Sequence, residues 1–280
     1  MRTYSDSDPD FLDSIPNLMY KYRDWADENH KRIVEQGEIY LPSPDQFNDP
    51  YDATLPFRYR DEDMADPGKV FTKLSEIGRK HFPDIDNTEL HEMCFKRQYS
   101  GAFENGKYWK EDYEDHKKEL NRFGIFATTT KKDNLLMWAH YANCHKGFCI
   151  GFDKFVLFRI IQSTLSSVHY EKDLPKIPLL FEDEYGASLL RLLITKSLDW
   201  QYEDEYRIVL NEGARTKFYL PPEGIKEIIF GLKMPEQHKV EITELVKVKY
   251  PHVQLFQSNM NLEEFKLDMI PILKISNARG

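Results

Sequence analysis

Apolar and polar residues alternate along Leu18 to Arg23 (LMYKYR), a period of two that predicts a strand with one buried face. Mixed charges at helical spacing follow in Ala26 to Gln36 and stop at Gly37, a favoured residue just past a helix end. Ile39 to Leu41 reads as a short strand leading into the turn-rich PSPDQFNDPYD. From about Asp61 to Arg122 the chain is charged, poor in strand formers and helix-like, with breaks at Pro67-Gly68, Pro83 and Asn105-Gly106. Strand signals resume at Gly124 to Thr130 (GIFATTT). Asp133 is the expected N-cap of a helix over NLLMWAHYAN, and Gly147 to Phe152 is an apolar strand. A short leucine-rich helix is expected over 185–196, then strands ahead of Leu210, at Phe218 to Leu220 and at Ile225 to Gly231. A helix from Pro235 to Lys247 and a late strand HVQLFQ close the pattern.

This pattern predicts an α+β fold, a mixed and largely antiparallel β core with helices around it. The expected organisation is a single domain over 1–280 with a helical insertion at about 61–122. At 280 residues with 14% aromatic side chains the chain buries a sizeable core. A net charge of −9 argues against a broad nucleic-acid-binding surface, though not against a local basic groove. Three irregularly spaced cysteines, Cys94, Cys144 and Cys149, suit neither a disulfide framework nor a zinc ribbon. The polar N-terminus MRTYSDSDPD resembles no signal or transit peptide, and no apolar run reaches membrane-spanning length. The expectation is a soluble, cytoplasmic protein without a membrane partner.

The chemistry concentrates in Trp200-Gln201-Tyr202-Glu203-Asp204-Glu205-Tyr206-Arg207-Ile208-Val209-Leu210. Glu203 and Glu205 are two apart at the mouth of a strand, where an extended backbone would aim both at one face. Carboxylates among Trp200, Tyr202 and Tyr206 suit the stabilisation of a cationic, sugar-like transition state. The plain alternative is a solvated acidic turn. His140 and Tyr141 are candidates to line the same site, while Leu135, Leu136 and Trp138 fit the core. Asn48 and Asp52, in the turn-rich stretch, fit a structural turn, with a place beside the site as the alternative. His140 and His145 lack the spacing of a helical zinc site, and no H-E-x-x-H, phosphate loop or G-x-S-x-G is present. No metal is expected.

The ordered blocks MYKYR, SPDQFNDPYD, DNLLMWAHYANCHKGFCIGF, WQYEDEYRI and IKEIIFG resemble the bacterial family catalogued as domain of unknown function 2971, across roughly 18–257. More distantly, three blocks are similar in spacing to ADP-ribosyltransferases of the arginine–serine–glutamate type. Arg23 matches the strand arginine, Thr128-Thr129-Thr130 the serine segment, and Glu203-Asp204-Glu205 the E-x-E. The departure is threonine in place of serine, which keeps the hydroxyl but stiffens the side chain.

That second resemblance implies a fold of the ADP-ribosyltransferase kind and NAD as co-substrate. Glu205 would steady the ribosyl cation and Glu203 would activate water or an acceptor. Arg23 would anchor a ribose or diphosphate oxygen. Thr129 would support Glu205, and Tyr20 or Tyr22 would stack on nicotinamide. The reaction would be transfer to an unidentified protein or nucleic-acid acceptor, or NAD hydrolysis, with a toxin or phage-defence role. Two other readings stay open: a non-catalytic binding or regulatory module, and a metal-dependent hydrolase or nuclease built on His140, His145, His169 and nearby carboxylates.

Overall fold

The computed structural model describes residues 14–101, 106–180 and 185–272. Their contacts form two compact units. The first is drawn from the chain up to Ser43, Gly124–Val168 and the chain from Asp199 onward, the second from Pro44–Phe123 and His169–Leu198.

The first unit is organised by an eight-stranded sheet. In chain order its strands are β1 (Leu18–Arg23), β2 (Gly124–Thr129), β3 (Phe148–Asp153), β4 (Thr164–Ser167), β5 (Glu205–Leu210), β6 (Ile225–Phe230), β7 (Gln254–Met260) and β8 (Leu267–Pro271). Across the sheet the order is β8-β7-β6-β3-β1-β2-β5-β4. Every pairing is antiparallel except β6 with β7. That parallel pair is bridged by the helix Glu236–Lys249, as a crossover between parallel strands requires. The fold is therefore the expected mixed α+β type with a largely antiparallel core.

Alternation sorts the side chains into two faces. On one, Phe126, Phe148, Ile150, Phe152, Ile208 and Ile228 pack with Ile33 and Val34, Val156 and Leu157, and Ile242 and Val246. These last three pairs come from the helices Glu28–Glu35, Lys154–Ile161 and Glu236–Lys249. On the other face Tyr20, Tyr22, Cys149 and Ile229 pack with Met137, Trp138 and Ala142, from the helix Leu135–Tyr141 and its exit. Full burial of each such large apolar side chain is worth about 1.5–3 kcal/mol. Burial in this second layer pushes the Cys149 thiol pKa upward, so Cys149 stays a neutral packing residue.

One junction in the sheet is weak. β1 is registered against β3 from Leu18 to Arg23, and β2 against β5 from Gly124 to Thr129. β1 and β2 meet only at Tyr20 opposite Thr129. Beyond that pair the Lys21 ammonium donates to the Ala127 carbonyl, and Ile125 N–H donates to the Pro42 carbonyl at 2.9 Å. These bonds serve backbone groups of β2 in place of the missing ladder.

The second unit is mainly helical: Asp61–Met64, Pro67–His81, Asn87–Tyr99, Gly106–Leu120 and Tyr185–Leu193. Two short parallel ribbons complete it, Arg58–Tyr59 with Lys176–Ile177 and His169–Glu171 with Thr195–Ser197. Asp52 is buried there in an ion pair with Lys196 at 3.1 Å.

Local expectations fail in informative places. Pro67-Gly68 does not break a helix but starts one: Asp66 accepts from the Gly68 and Lys69 amides, and proline's missing N–H costs nothing in a first turn. Asn134, not Asp133, caps the helix Leu135–Tyr141, accepting from the Leu136 and Met137 amides.

Candidate functional site

The approach to β5 is not extended. Leu198–Glu203 form a 3₁₀ helix, and Asp204 adopts a left-handed backbone with φ 46° before Glu205 opens the strand. The same-face rule for residues two apart therefore does not act between Glu203 and Glu205. What places Glu203 is the loop after β2. Thr129 Oγ1 donates to the Glu203 carbonyl at 2.5 Å, Thr130 donates to the Asp204 carboxylate, and Asn134 Nδ2 donates to the Tyr202 carbonyl at 2.8 Å. Thr129 stands opposite Glu205 in register, yet its hydroxyl serves the main chain of Glu203, not the Glu205 carboxylate.

The two carboxylates have different partners. Tyr141 Oη donates to Glu203 Oε1 at 2.6 Å. Glu205 is gripped by Arg207, with Nε to Oε1 at 2.7 Å and Nη2 to Oε2 at 3.1 Å, and Arg207 is wholly buried. This forked pairing matches a guanidinium to a carboxylate. Lys21 lies nearby at the parting of β1 and β2, its ammonium 4.5 Å from the Phe126 ring centroid. Burial, helped by Arg23, lowers the Lys21 pKa well below the ordinary lysine value against the opposing pull of Glu205 and Glu203.

Aromatic side chains cluster around His140, the neighbour of Tyr141. His140 Nδ1 and Tyr202 Oη are 2.8 Å apart, and the His140 ring lies about 6 Å from those of Trp200, Tyr202 and Tyr141. His140 is exposed, whereas Glu203 and Glu205 are buried.

The fold thus gathers Thr129, His140, Tyr141, Glu203 and Glu205 into one neighbourhood. Tyr20 shares their face, in a transverse row that runs Glu227, Gly151, Tyr20, Thr129, Glu205 over five strands. Gly151 is required there, since a Cβ would stand 2.7 Å from Glu227 Cγ and 3.0 Å from Tyr20 Cε1. Tyr22 points the same way but is core: it packs edge-on against Trp138 at 5.0 Å and donates to the Lys131 carbonyl. Burial raises the phenol pKa of both Tyr20 and Tyr22, and Glu227 adds to the rise at Tyr20.

Arg23 does not join them. It pairs with Phe148, so alternation turns its side chain to the opposite face from Tyr20, Thr129 and Glu205. Its guanidinium donates to the Tyr22 carbonyl and feels Asp27; burial lowers its pKa to about 10, which leaves it cationic at neutral pH. The anchoring role expected of Arg23 beside Glu205 is corrected on this ground.

Four charged residues escaped the sequence reading: Lys21, Arg207, Lys132 and Glu227. Arg207 carried a signal, because the two-residue rule applied to Glu203 and Glu205 applies in fact to Glu205 and Arg207. Lys132 Nζ meets Glu227 Oε1 at 3.1 Å, a pairing between distant segments that no local pattern announces. Among the described residues no group of three or more His, Cys, Asp or Glu side chains is arranged to hold a metal ion.

These features define an α+β unit with two buried carboxylates, and a cluster of aromatic rings beside the Tyr141 partner of one of them, on a largely antiparallel sheet. Residues 137–208 match the family model described as Protein of unknown function (DUF2971). The matched stretch contains His140, Tyr141, Glu203 and Glu205, but not Tyr20, Tyr22, Arg23 or Thr129. No curated protein and no solved structure matches the chain.

Proposed function

We propose that this site binds NAD and cleaves its bond between nicotinamide and ribose. The observation that carries the reading is the Glu203 carboxylate, oriented by Tyr141 at 2.6 Å, with the Tyr141 ring 6.2 Å from that of His140, which in turn lies about 6 Å from those of Trp200 and Tyr202. A buried carboxylate lowers the energy of an adjacent positive charge, and ring faces suit a flat cationic heterocycle. In the reaction the glycosidic C–N bond breaks and its electron pair passes to nicotinamide, which leaves neutral. The ribosyl cation is faced by Glu203. Water then adds its oxygen to the anomeric carbon and yields a proton to Glu203.

The roles of the two glutamates shift from those the ADP-ribosyltransferase resemblance implies. Glu205, paired with Arg207, holds the strand mouth in place, and Glu203 takes the part facing the cation. The reaction is written with water as the acceptor, and transfer to a macromolecule would begin with the same cleavage.

The test is incubation of the purified full chain with NAD labelled in nicotinamide, alone and with cell lysate. Released nicotinamide that disappears in Glu203→Gln supports the reading. Wild-type protein that releases none and does not bind NAD overturns it. One observation favours a second reading, a non-catalytic binding module: the Glu205–Arg207 pair is an internally neutralised, structural use of the E-x-E. That reading expects ligand binding without nicotinamide release.

A further inference from the structure

The loop leaving β2 presents two consecutive lysines whose backbone is clamped and whose ammonium groups reach solvent. Tyr22 Oη donates to the Lys131 carbonyl at 2.8 Å, and Trp138 Nε1 donates to the Lys132 carbonyl at 3.0 Å. Both donors belong to buried side chains of the layer under the loop. The Lys131 amide in turn donates to Thr129 Oγ1 at 3.0 Å, the hydroxyl that also holds Glu203. The loop is therefore fixed to the same anchor as the site.

Each lysine leans on a carboxylate. Lys131 Nζ is 3.6 Å from Asp204 Oδ2, and Lys132 Nζ is 3.1 Å from Glu227 Oε1. The Lys132 ammonium also lies 5.7 Å from the Tyr20 ring centroid and 5.2 Å from that of Phe256, which holds it over two ring faces. Its side chain is about one-third exposed while that of Glu227 is nearly buried. A buried ion pair contributes little net stability, since desolvation offsets the attraction. Here the buried partner is the anion, so the arrangement acts to hold a reachable cation in position.

We propose that Lys131 and Lys132 seat the diphosphate of the dinucleotide, with Glu227 as the internal counter-charge that holds Lys132 until the ligand arrives. This rests on the NAD reading and names which group of that ligand the loop takes. ADP-ribose carries the diphosphate but lacks nicotinamide, so its binding separates the two claims.

Binding of ADP-ribose to the full chain is measured by calorimetry for wild type, Lys132→Met, Lys132→Arg and Glu227→Gln, with thermal unfolding of each. A lost charge-assisted contact predicts about tenfold or more weaker binding in Lys132→Met, with recovery in Lys132→Arg. Glu227→Gln removes the competing anion and should tighten binding severalfold. A purely structural pair moves both variants the same way: each lowers the unfolding temperature and neither tightens binding. That outcome, with wild type still binding, overturns the diphosphate seat and leaves the NAD reading standing. Wild type that binds neither ADP-ribose nor NAD overturns both.

Discussion

Glu205 and Arg207 face each other two residues apart on β5, joined by two hydrogen bonds of 2.7 and 3.1 Å with both side chains buried. The pair forms because residues i and i+2 of a strand share a face, and the guanidinium fork fits the carboxylate. Removing one member withdraws two charge-assisted hydrogen bonds from a buried partner. Glu205→Gln should therefore destabilise the chain by about 1.5–3 kcal/mol. Arg207→Met combined with Glu205→Gln should cost less than the sum of the single changes. Urea unfolding of the four proteins checks this; additive losses would remove the pair from the account.

Glu203 is expected to matter for turnover and not for folding. Glu203→Gln keeps the shape and the acceptor for Tyr141, but removes the charge that the proposed reaction sets against a ribosyl cation. Nicotinamide release should fall by about a hundredfold or more, while Tyr141→Phe, which only loosens the carboxylate, should lose about tenfold. Single-turnover release with saturating NAD reads both. Equal, small losses would mean that Glu203 has no electrostatic part.

Arg23 supplies the control. Because it points away from Glu205, Arg23→Gln should leave nicotinamide release within about twofold of wild type, as for residues outside the site. A loss comparable to that of Glu203→Gln would restore the strand arginine to the substrate and contradict the placement argued from register.

His30 predicts an acid-sensitive step in stability. Its Nδ1 faces the Asp24 amide at 3.3 Å, an arrangement that requires an unprotonated nitrogen. Burial and the nearby Arg23 lower its pKa to about 4, against the opposing attraction of Asp27 and Asp24. The unfolded chain holds its histidine proton more tightly, so this contribution is present in full above about pH 6.5 and is lost as pH falls toward 4. Guanidine midpoints should drop between pH 6.5 and 4.5, above the range of ordinary carboxylates, and flatten in His30→Gln. An unchanged slope in that variant would assign the step elsewhere.

Strong local periodicity made much of the fold legible. LMYKYR at Leu18–Arg23 and IKEIIF at Ile225–Phe230 are strands where alternation and β-branched residues said so, and residues 61–122 are helical over four segments. The helix Lys154–Ile161 was missed because KFVLFRII is apolar on most sides; its start signal lies outside that run, in Asp153, which accepts from the Phe155 and Val156 amides. Within the site, residue types pointed to Glu203, Tyr141 and Thr129, but their partners did not follow. The left-handed Asp204 undid the strand rule for Glu203, and strand pairing order decided the face of Arg23. Both depend on long-range contacts that a single sequence does not print.

The near-absence of ladder bonds between β1 and β2 divides the sheet into two cooperative blocks. Five strands, β8 to β1, share one continuous network, and β2, β5 and β4 share another. Local opening takes the route with the fewest hydrogen bonds to break, so amide exchange should be fastest along the facing edges of β1 and β2 and slowest in β3 and β6. The Tyr20–Thr129 pairing is then the one backbone rung between the blocks, beside the Lys21 bond to the Ala127 carbonyl, and it sits in the same row as Glu205. A ligand bound across that row would register as slowed exchange on both blocks at once, a signature readable before any chemistry is known.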